Sequence, residues 1–102
     1  MFRKLMIPKE LGDSIEVRLL EWCKAEGDDV NAGDALLEFE TDKAVVLVTA
    51  AQGGVLRRRS FGAGDWMKPG DVAAWLSDLP DESFPPEHDA PDDILVVTFD
   101  TT

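Results

Sequence analysis

The segment Gly27-Asp28-Asp29-Val30-Asn31-Ala32-Gly33-Asp34 returns 37 residues later as Gly64-Asp65-Trp66-Met67-Lys68-Pro69-Gly70-Asp71. Both copies share the pattern Gly-Asp-x-apolar-x-x-Gly-Asp, and each is followed by an apolar run. Glycine suits turns that need a permissive backbone, and an aspartate side chain can cap such a turn. Two copies of one strand-turn-strand unit, each with an unclosed apolar face, predict a two-fold sandwich of short β-sheets.

The sequence around the two copies has the composition of β-strands. Its apolar stretches are short and rich in Val, Leu, Phe and Trp, and no amphipathic segment of helical length occurs. In Leu37-Glu38-Phe39-Glu40 apolar and acidic residues alternate, which predicts a half-buried strand with both carboxylates facing water. A second strand follows at Val45-Val46-Leu47-Val48, and others are expected near residues 2–8, 16–24, 54–61 and 72–77. The predicted fold class is all-β.

Between these two strands lies Thr41-Asp42-Lys43-Ala44, which has no large apolar anchor and predicts a projecting hairpin turn. Adding the repeat offset to Lys43 gives Pro80, outside the second copy, so the lysine has no counterpart in the second half. A lysine on such a turn offers an ε-amino group that a modifying enzyme can reach. Taken alone, a turn lysine is more simply a solvated surface residue.

Composition narrows the class of protein. The chain has 102 residues, 21 acidic and 10 basic side chains and a net charge of −11, which disfavours nucleic acid and anionic membranes as partners. The single cysteine cannot form an internal disulfide, and no apolar run is long enough to span a bilayer. The N-terminus lacks the apolar core of a signal peptide. These features predict a cytoplasmic protein.

The charge is unevenly distributed along the chain. Residues 1–79 carry 10 basic and 14 acidic side chains, whereas residues 80–102 carry seven acidic and no basic ones. This division predicts one small domain over residues 1–79 and an acidic, proline-containing tail or linker over residues 80–102. The apolar end of the tail, Ile94 to Phe99, can dock on another protein or fold back onto a sheet edge; its acidic approach disfavours folding back.

The run Gly27-Asp28-x-Val30-x-x-Gly33-x-x-Leu36-x-x-Phe39-Glu40-Thr41-Asp42-Lys43-Ala44 resembles the lipoyl attachment segment of lipoyl domains from 2-oxo acid dehydrogenase complexes. The resemblance covers residues 2–79 and includes Ile7-Pro8, Trp22, Ala50 and Gly54-Val55. It implies a flattened barrel or sandwich of two four-stranded antiparallel sheets with pseudo-two-fold symmetry, the lipoyl/biotinyl domain fold. It also implies that Lys43 is joined to lipoate. The residues implied to frame the hairpin for a lipoate ligase or lipoyl transferase are Glu40, Thr41, Asp42 and Ala44.

The same resemblance implies a non-catalytic carrier. In that family a lipoyl arm moves acyl groups and reducing equivalents between active sites, and tethering makes each encounter effectively intramolecular. The implied partners are a thiamine-diphosphate decarboxylase, an acyltransferase and a dihydrolipoyl dehydrogenase.

Two alternatives remain open at this point. The first is a biotinyl carrier with Lys43 biotinylated; biotin carriers place their lysine in an apolar setting such as Met-Lys-Met, so the flanking Asp42 and Ala44 favour lipoate. Met67-Lys68 is similar to that biotin motif, but Pro69-Gly70 follows it within a repeat turn, which favours a structural role. The second alternative is an unmodified binding module that acts through its acidic tail.

Other residues predict structure rather than chemistry. Cys23 is expected to be a partly buried structural thiol, and Arg57-Arg58-Arg59 a solvated strand edge guarded by cations, or else a contact for an acidic partner. No catalytic triad or metal site can be assembled from Cys23 and His88. Leu47 and Thr49 stand where the family commonly has a polar residue and a proline, which predicts a more apolar strand after the hairpin.

Overall fold

A computed structural model of the chain describes residues 1–9, 16–84 and 93–101, so His88 lies outside the described residues. Nine strands occur in these ranges: β1 Phe2–Met6, β2 Val17–Trp22, β3 Asp29–Val30, β4 Ala35–Glu40, β5 Val45–Ala50, β6 Gly54–Arg59, β7 Trp66–Met67, β8 Val72–Ser77 and β9 Val97–Thr101. The same ranges contain no helix with the length and apolar character needed to cross a membrane.

The strands form two antiparallel sheets, in the orders β1-β8-β6-β3 and β7-β2-β4-β5-β9. Strands β1, β2, β3 and β4 correspond to β5, β6, β7 and β8. Exchanging the two members of each pair converts the first sheet order into the second, apart from the added β9. The predicted all-β sandwich with pseudo-two-fold symmetry is confirmed. The second sheet, however, has five strands rather than the expected four, because β9 adds to the edge of β5.

The repeated Gly-Asp units form four equivalent turns. Each of the four glycines has a positive φ, between the 92° of Gly64 and the 97° of Gly33, which side-chain-bearing residues rarely adopt. In each turn an aspartate carboxylate accepts a hydrogen bond from the backbone N–H three residues earlier, at 2.8 or 2.9 Å, as the turn chemistry predicted. The four aspartates are Asp28, Asp34, Asp65 and Asp71.

These turns also join the two halves. The N–H of Gly27 donates to the carbonyl of Leu56 in the second half, and the N–H of Gly64 donates to the carbonyl of Leu19 in the first, at 2.6 and 2.7 Å. Leu19 and Leu56 are themselves separated by the repeat offset and both are fully buried. The repeat is therefore reciprocal, since each copy completes the turn of the other.

The alternation predicted for β4 is confirmed. Leu37 and Phe39 are fully buried, while Glu38 and Glu40 remain partly exposed on the outer face. Burying an aromatic and two leucines from one short strand supplies a large share of the apolar area in so small a core.

The apolar end of the tail folds back onto the domain, which is the alternative that the acidic approach disfavoured. The N–H of Lys4 donates to the carbonyl of Asp93, and the N–H of Leu95 donates to the carbonyl of Lys4, at 2.9 and 2.8 Å. Leu95 is 2 % exposed and belongs to the core. Burial of this side chain, together with the β9–β5 ladder, offsets the entropy of ordering the segment.

Two smaller expectations can be compared with the structure. Strand β3 pairs only with Gly54 and Val55 of β6, so the arginine run lies beyond that ladder, with Arg58 and Arg59 exposed. Arg57 donates to Ser77 Oγ at 3.0 Å, and both Arg57 and Arg58 stack over the ring of Phe84. Cys23 is exposed rather than partly buried, since an irregularity in the β2 ladder between Leu19 and Glu21 shifts the alternation before the strand ends.

Candidate functional site

The hairpin between β4 and β5 presents Lys43 to solvent. The two strands pair antiparallel up to Glu40 opposite Val45, and four residues connect them. Asp42 and Lys43 are exposed at its tip, whereas Thr41 and Ala44 are half-buried at its base. The hairpin is the projecting turn that the sequence pattern predicted.

The hydroxyl of Thr41 organises this turn. Thr41 Oγ1 accepts hydrogen bonds from the backbone N–H of Lys43 at 3.2 Å and of Ala44 at 3.1 Å. The backbone N–H of Thr41 donates to the carbonyl of Ala44 at 2.8 Å, which closes the loop. One side chain thus satisfies two backbone donors of the tip, and this fixes the backbone from which the Lys43 side chain projects. Within the described part of the chain, no hydrogen bond or ion pair holds the Lys43 ammonium itself.

Acidic side chains lie on the outer face of β4 and at the tip of the hairpin that carries the lysine. Glu38 and Glu40 project from β4 and Asp42 from the tip. Arg18 lies opposite Glu40 in the β2–β4 ladder, with 3.9 Å between Arg18 Nη1 and Glu40 Oε1. Since both partners of this pair are well exposed, it contributes little to stability and leaves the surface around Lys43 acidic. Such a surface favours approach by a basic partner surface.

The pseudo-two-fold places a different structure at the opposite corner. There the segment after β8 takes the place of the hairpin, and the position equivalent to Lys43 is Pro80. Arg3 donates to Asp78 at 2.5 Å, and this hydrogen bond lowers the pKa of the Asp78 carboxyl. The N-terminal ammonium also pairs with Glu82. One corner of the molecule therefore carries a free lysine, and the other carries a closed ion-pair cluster.

The remaining chemical candidates do not form a second site. Lys68 follows Met67, which is fully buried, and the Lys68 N–H is bound by Asp71 within a repeat turn. Desolvation by neighbouring protein atoms raises the pKa of the Cys23 thiol although the residue is exposed, and the nearby Glu21 and Glu38 carboxylates raise it further, which opposes nucleophilic character. Among residues 1–9, 16–84 and 93–101 no cluster of His, Cys, Asp and Glu could hold a metal ion.

Two features of the site were missed by the sequence pattern. The resemblance implies only that Thr41 frames the hairpin for a modifying enzyme, whereas in the structure its hydroxyl builds the turn; a threonine two residues before an exposed tip residue is a sign of such a turn. The pairing of Arg18 with Glu40 depends on the β2–β4 register, which periodicity does not specify.

Comparison with known proteins agrees with this geometry. A family model described as "Biotin-requiring enzyme" matches residues 5–76. The chain is 40 % identical over 78 residues to the dihydrolipoyllysine-residue succinyltransferase component of the 2-oxoglutarate dehydrogenase complex from Bacillus subtilis, covering 76 % of this chain and 19 % of that protein. It is 46 % identical over 55 residues to the dihydrolipoyllysine-residue acetyltransferase component of the acetoin cleaving system from Pseudomonas putida, covering 54 % of this chain and 15 % of that protein.

A solved structure has the same fold. The solution structure of the lipoyl domain of the 2-oxoglutarate dehydrogenase complex from Azotobacter vinelandii superposes with a TM-score of 0.64 at 24 % identity, over 74 % of this chain and 95 % of that one. The chain spans about a fifth or less of the length of the curated relatives named above. Because the family model covers well over half of the chain, the chain belongs to the biotin/lipoyl attachment domains and, among these, is homologous to the lipoyl domains of 2-oxo acid dehydrogenase complexes.

Proposed function

We propose that the chain is a lipoyl carrier in which Lys43 bears covalently attached lipoate. The observation that carries this proposal is the exposed Lys43 at the tip of the Thr41-organised hairpin, in a chain of the biotin/lipoyl attachment family. An amide bond to the ε-amino group needs a lysine that a modifying enzyme can surround, and the tip residues leave Lys43 accessible. When attached, the lipoyl group supplies a dithiolane that accepts acyl groups and electrons.

The residues of the chain hold and present that lysine. Strands β4 and β5 form a rigid support, because Phe39 and Val48 anchor them in the core. Thr41 sets the backbone of the tip, and Glu40, Asp42 and Ala44 provide the surface that a lipoate ligase or lipoyl transferase reads. A rigid support matters because a modifying enzyme must find the ε-amino group at a defined height above the sheet.

The relatives indicate the system in which such a carrier would act. Their names place them in 2-oxo acid dehydrogenase and acetoin-cleaving systems. The partners we propose are a thiamine-diphosphate decarboxylase, an acyltransferase and a dihydrolipoyl dehydrogenase of one such system in the cytoplasm. In this proposal residues 1–79 are the carrier domain, residues 80–102 are an extension, and the chain itself catalyses no step.

Replacement of Lys43 tests the assignment. Lys43→Arg keeps the charge and abolishes amide formation, so the protein should neither incorporate lipoate from a purified ligase nor accept an acyl group from a 2-oxo acid decarboxylase. Lys68→Arg is the matched control, since it replaces a turn lysine of the second repeat and should keep both activities. Lipoate incorporation into Lys43→Arg protein would contradict the proposal.

A biotinyl carrier is the second candidate, favoured by the description of the matching family. Asp42 and Ala44 beside Lys43 argue against it, because they leave the lysine in a polar setting. A purified biotin ligase supplied with biotin should leave the wild-type protein unmodified, whereas a biotin adduct on Lys43 would select this second candidate instead.

A further inference from the structure

The four edge strands of the two sheets are protected to different degrees. Within the described part of the chain these edges are β1 and β3 in one sheet and β7 and β9 in the other. Strands β3 and β7 have two residues each, and β1 is covered at Lys4 by hydrogen bonds with Asp93 and Leu95. Strand β9 has five residues, and no described strand pairs with its outer edge.

Apart from the single charge of Asp100, strand β9 also lacks the devices that usually guard an edge. Its ladder with β5 runs over five consecutive pairs without a bulge, whereas the ladders of β4 with β2 and with β5 each contain an irregularity. The sequence Val97-Thr98-Phe99-Asp100-Thr101 contains no lysine or proline. A regular, unguarded edge of this length is a template for another strand.

The hydrogen-bonding groups of that edge can be assigned. The N–H of Ala51 donates to the carbonyl of Val96 at 2.9 Å, so alternation along the antiparallel ladder directs the peptide groups of Thr98 and Asp100 towards β5. The N–H and carbonyl groups of Val97, Phe99 and Thr101 therefore point away from β5.

An apolar groove of about 430 Å³ adjoins this free edge. Its far wall is the segment from Met6 to Lys9, which diverges from the tail after the bridge between Lys4 and Ile94. Phe99 lines the near wall and is 40 % exposed, although its ladder partner Val48 is fully buried. The inner face of the sheet thus continues past the sandwich without a covering layer among the described residues.

We propose that this edge and groove bind a second copy of the chain, through antiparallel pairing of β9 with β9 across a two-fold axis at Phe99. This register matches the free peptide groups, because it places Val97 opposite Thr101 of the second copy and Phe99 opposite Phe99. The two phenylalanines form a cross-strand aromatic pair, which is a stabilising contact on a sheet. The carboxyl-terminal half of each β9 then lies in the groove of the other copy.

Charge selects this register over its neighbour. Asp100 is the only charged residue of β9, and in the proposed register it lies opposite Thr98. Moving the axis to Asp100 would place two carboxylates opposite each other, which is unfavourable.

Sedimentation of the whole chain over a range of concentrations tests the dimer. We expect a particle of twice the 11.2 kDa chain mass to form as the concentration rises. Phe99→Lys should raise the dissociation constant about tenfold or more, because it places like charges opposite each other. Leu79→Lys is the matched control, since it changes an exposed apolar residue outside both the groove and the paired segment and should leave the dimer intact. A monomer at all concentrations, or equal weakening by both substitutions, would overturn the proposal.

Cysteine cross-linking tests the register in a Cys23→Ser background. Phe99→Cys places two thiols opposite each other, with Cα atoms about 5.5 Å apart, within the range of a disulfide. In a dimer of Thr98→Cys protein, or of Asp100→Cys protein, the Cα atoms of the two introduced cysteines lie about 8 Å apart, too far for that bond. A mixture of the two proteins should cross-link, because positions 98 and 100 lie opposite each other. Self-cross-linking of Asp100→Cys in preference to Phe99→Cys would overturn the register. Lys43→Arg protein should dimerise as the wild type does, which separates this test from that of the carrier function.

Discussion

Residues 17–40 and residues 54–77 are two copies of one arrangement of three strands. Their glycine turns have φ angles between 92° and 97°, and the hydrogen bonds by which aspartates cap these turns have matching lengths. Each copy also accepts a backbone hydrogen bond from the turn of the other. The cores of the two copies differ. Strand β4 contributes Leu36, Leu37 and Phe39, whereas the equivalent positions of β8 are Ala73, Ala74 and Leu76.

The corners that follow the two copies differ most. After β4 the chain turns at once into β5 and exposes Lys43, whereas after β8 it meets β1 through the ion pairs of Asp78 and Glu82. The turns define the fold in both halves. Two features distinguish the half that presents a lysine from the half that closes the sandwich. These are the segment that follows each copy and the larger core side chains of β4.

The largest difference between the copies should appear in their cores. Phe39→Ala removes a fully buried ring and should lower the free energy of unfolding by about 3–5 kcal/mol, because the cavity cannot collapse in so small a core. Ala74→Gly removes only one methyl group at a buried position of the other copy and should cost about 1 kcal/mol, so it serves as the comparison. Urea unfolding measures both. Equal losses for the two variants would contradict the larger core contribution assigned to β4.

The turns should respond alike in both copies. Gly27→Ala and Gly64→Ala should each lower the free energy of unfolding by about 1–2 kcal/mol, because alanine is strained at positive φ. A Cβ at Gly27 meets nothing within 4 Å, and one at Gly64 meets only Arg18 at 3.9 Å, so the cost comes from the backbone. Gly62→Ala, where the Cβ makes an ordinary contact at 3.7 Å, should cost less than either. Thermal or urea unfolding measures these losses. A difference of more than about 1 kcal/mol between Gly27→Ala and Gly64→Ala would contradict the equivalence of the two turns.

The hairpin should depend on one hydroxyl. Thr41→Val keeps the shape of the side chain but leaves the backbone N–H groups of Lys43 and Ala44 without their acceptor. We expect a loss of about 0.5–1.5 kcal/mol in stability and a severalfold slower attachment of lipoate by a purified ligase. Thr41→Ser retains the acceptor and should restore most of the rate. If valine and serine behaved alike, the turn would not depend on the hydroxyl.

The smallest effect concerns the closed corner at acidic pH. The hydrogen bond from Arg3 lowers the pKa of Asp78 in the folded protein, so the carboxylate stabilises the fold above its ordinary pKa. This contribution should disappear as the pH falls through the lowered pKa of the folded state. Asp78→Asn should therefore lower the melting temperature slightly at pH 7 and less as the pH falls towards 2, and Asp81→Asn, which removes a carboxylate from an exposed position, is the control. A constant difference between Asp78→Asn and wild type across this range would contradict the assignment.

Much of the fold follows from local chemistry. The repeat predicted the turns because glycine and aspartate act on the residues beside them, and the alternation in β4 predicted its two faces. The exposure of Lys43 followed from a four-residue connection with no large apolar side chain. All of these depend on interactions between near neighbours in sequence.

The errors concern contacts between distant segments. Strand β9 pairs with β5 through a register that no local pattern specifies, and Leu95 finds its buried position only once β1 is in place. Thr49 offered one sign of this pairing, because it keeps a backbone N–H where the family commonly has a proline. Cys23 was misplaced since a single ladder irregularity reverses the alternation on which its burial was predicted.

Peptide mapping of the intact protein tests the central claim most directly. The chain would be produced in cells supplied with both lipoate and biotin, weighed intact, and digested to locate any adduct. The account predicts a lipoyl group on Lys43 alone and no modification of Lys68. A biotin adduct, a lipoyl group on another lysine, or an unmodified Lys43 in the presence of an active lipoate ligase would contradict it.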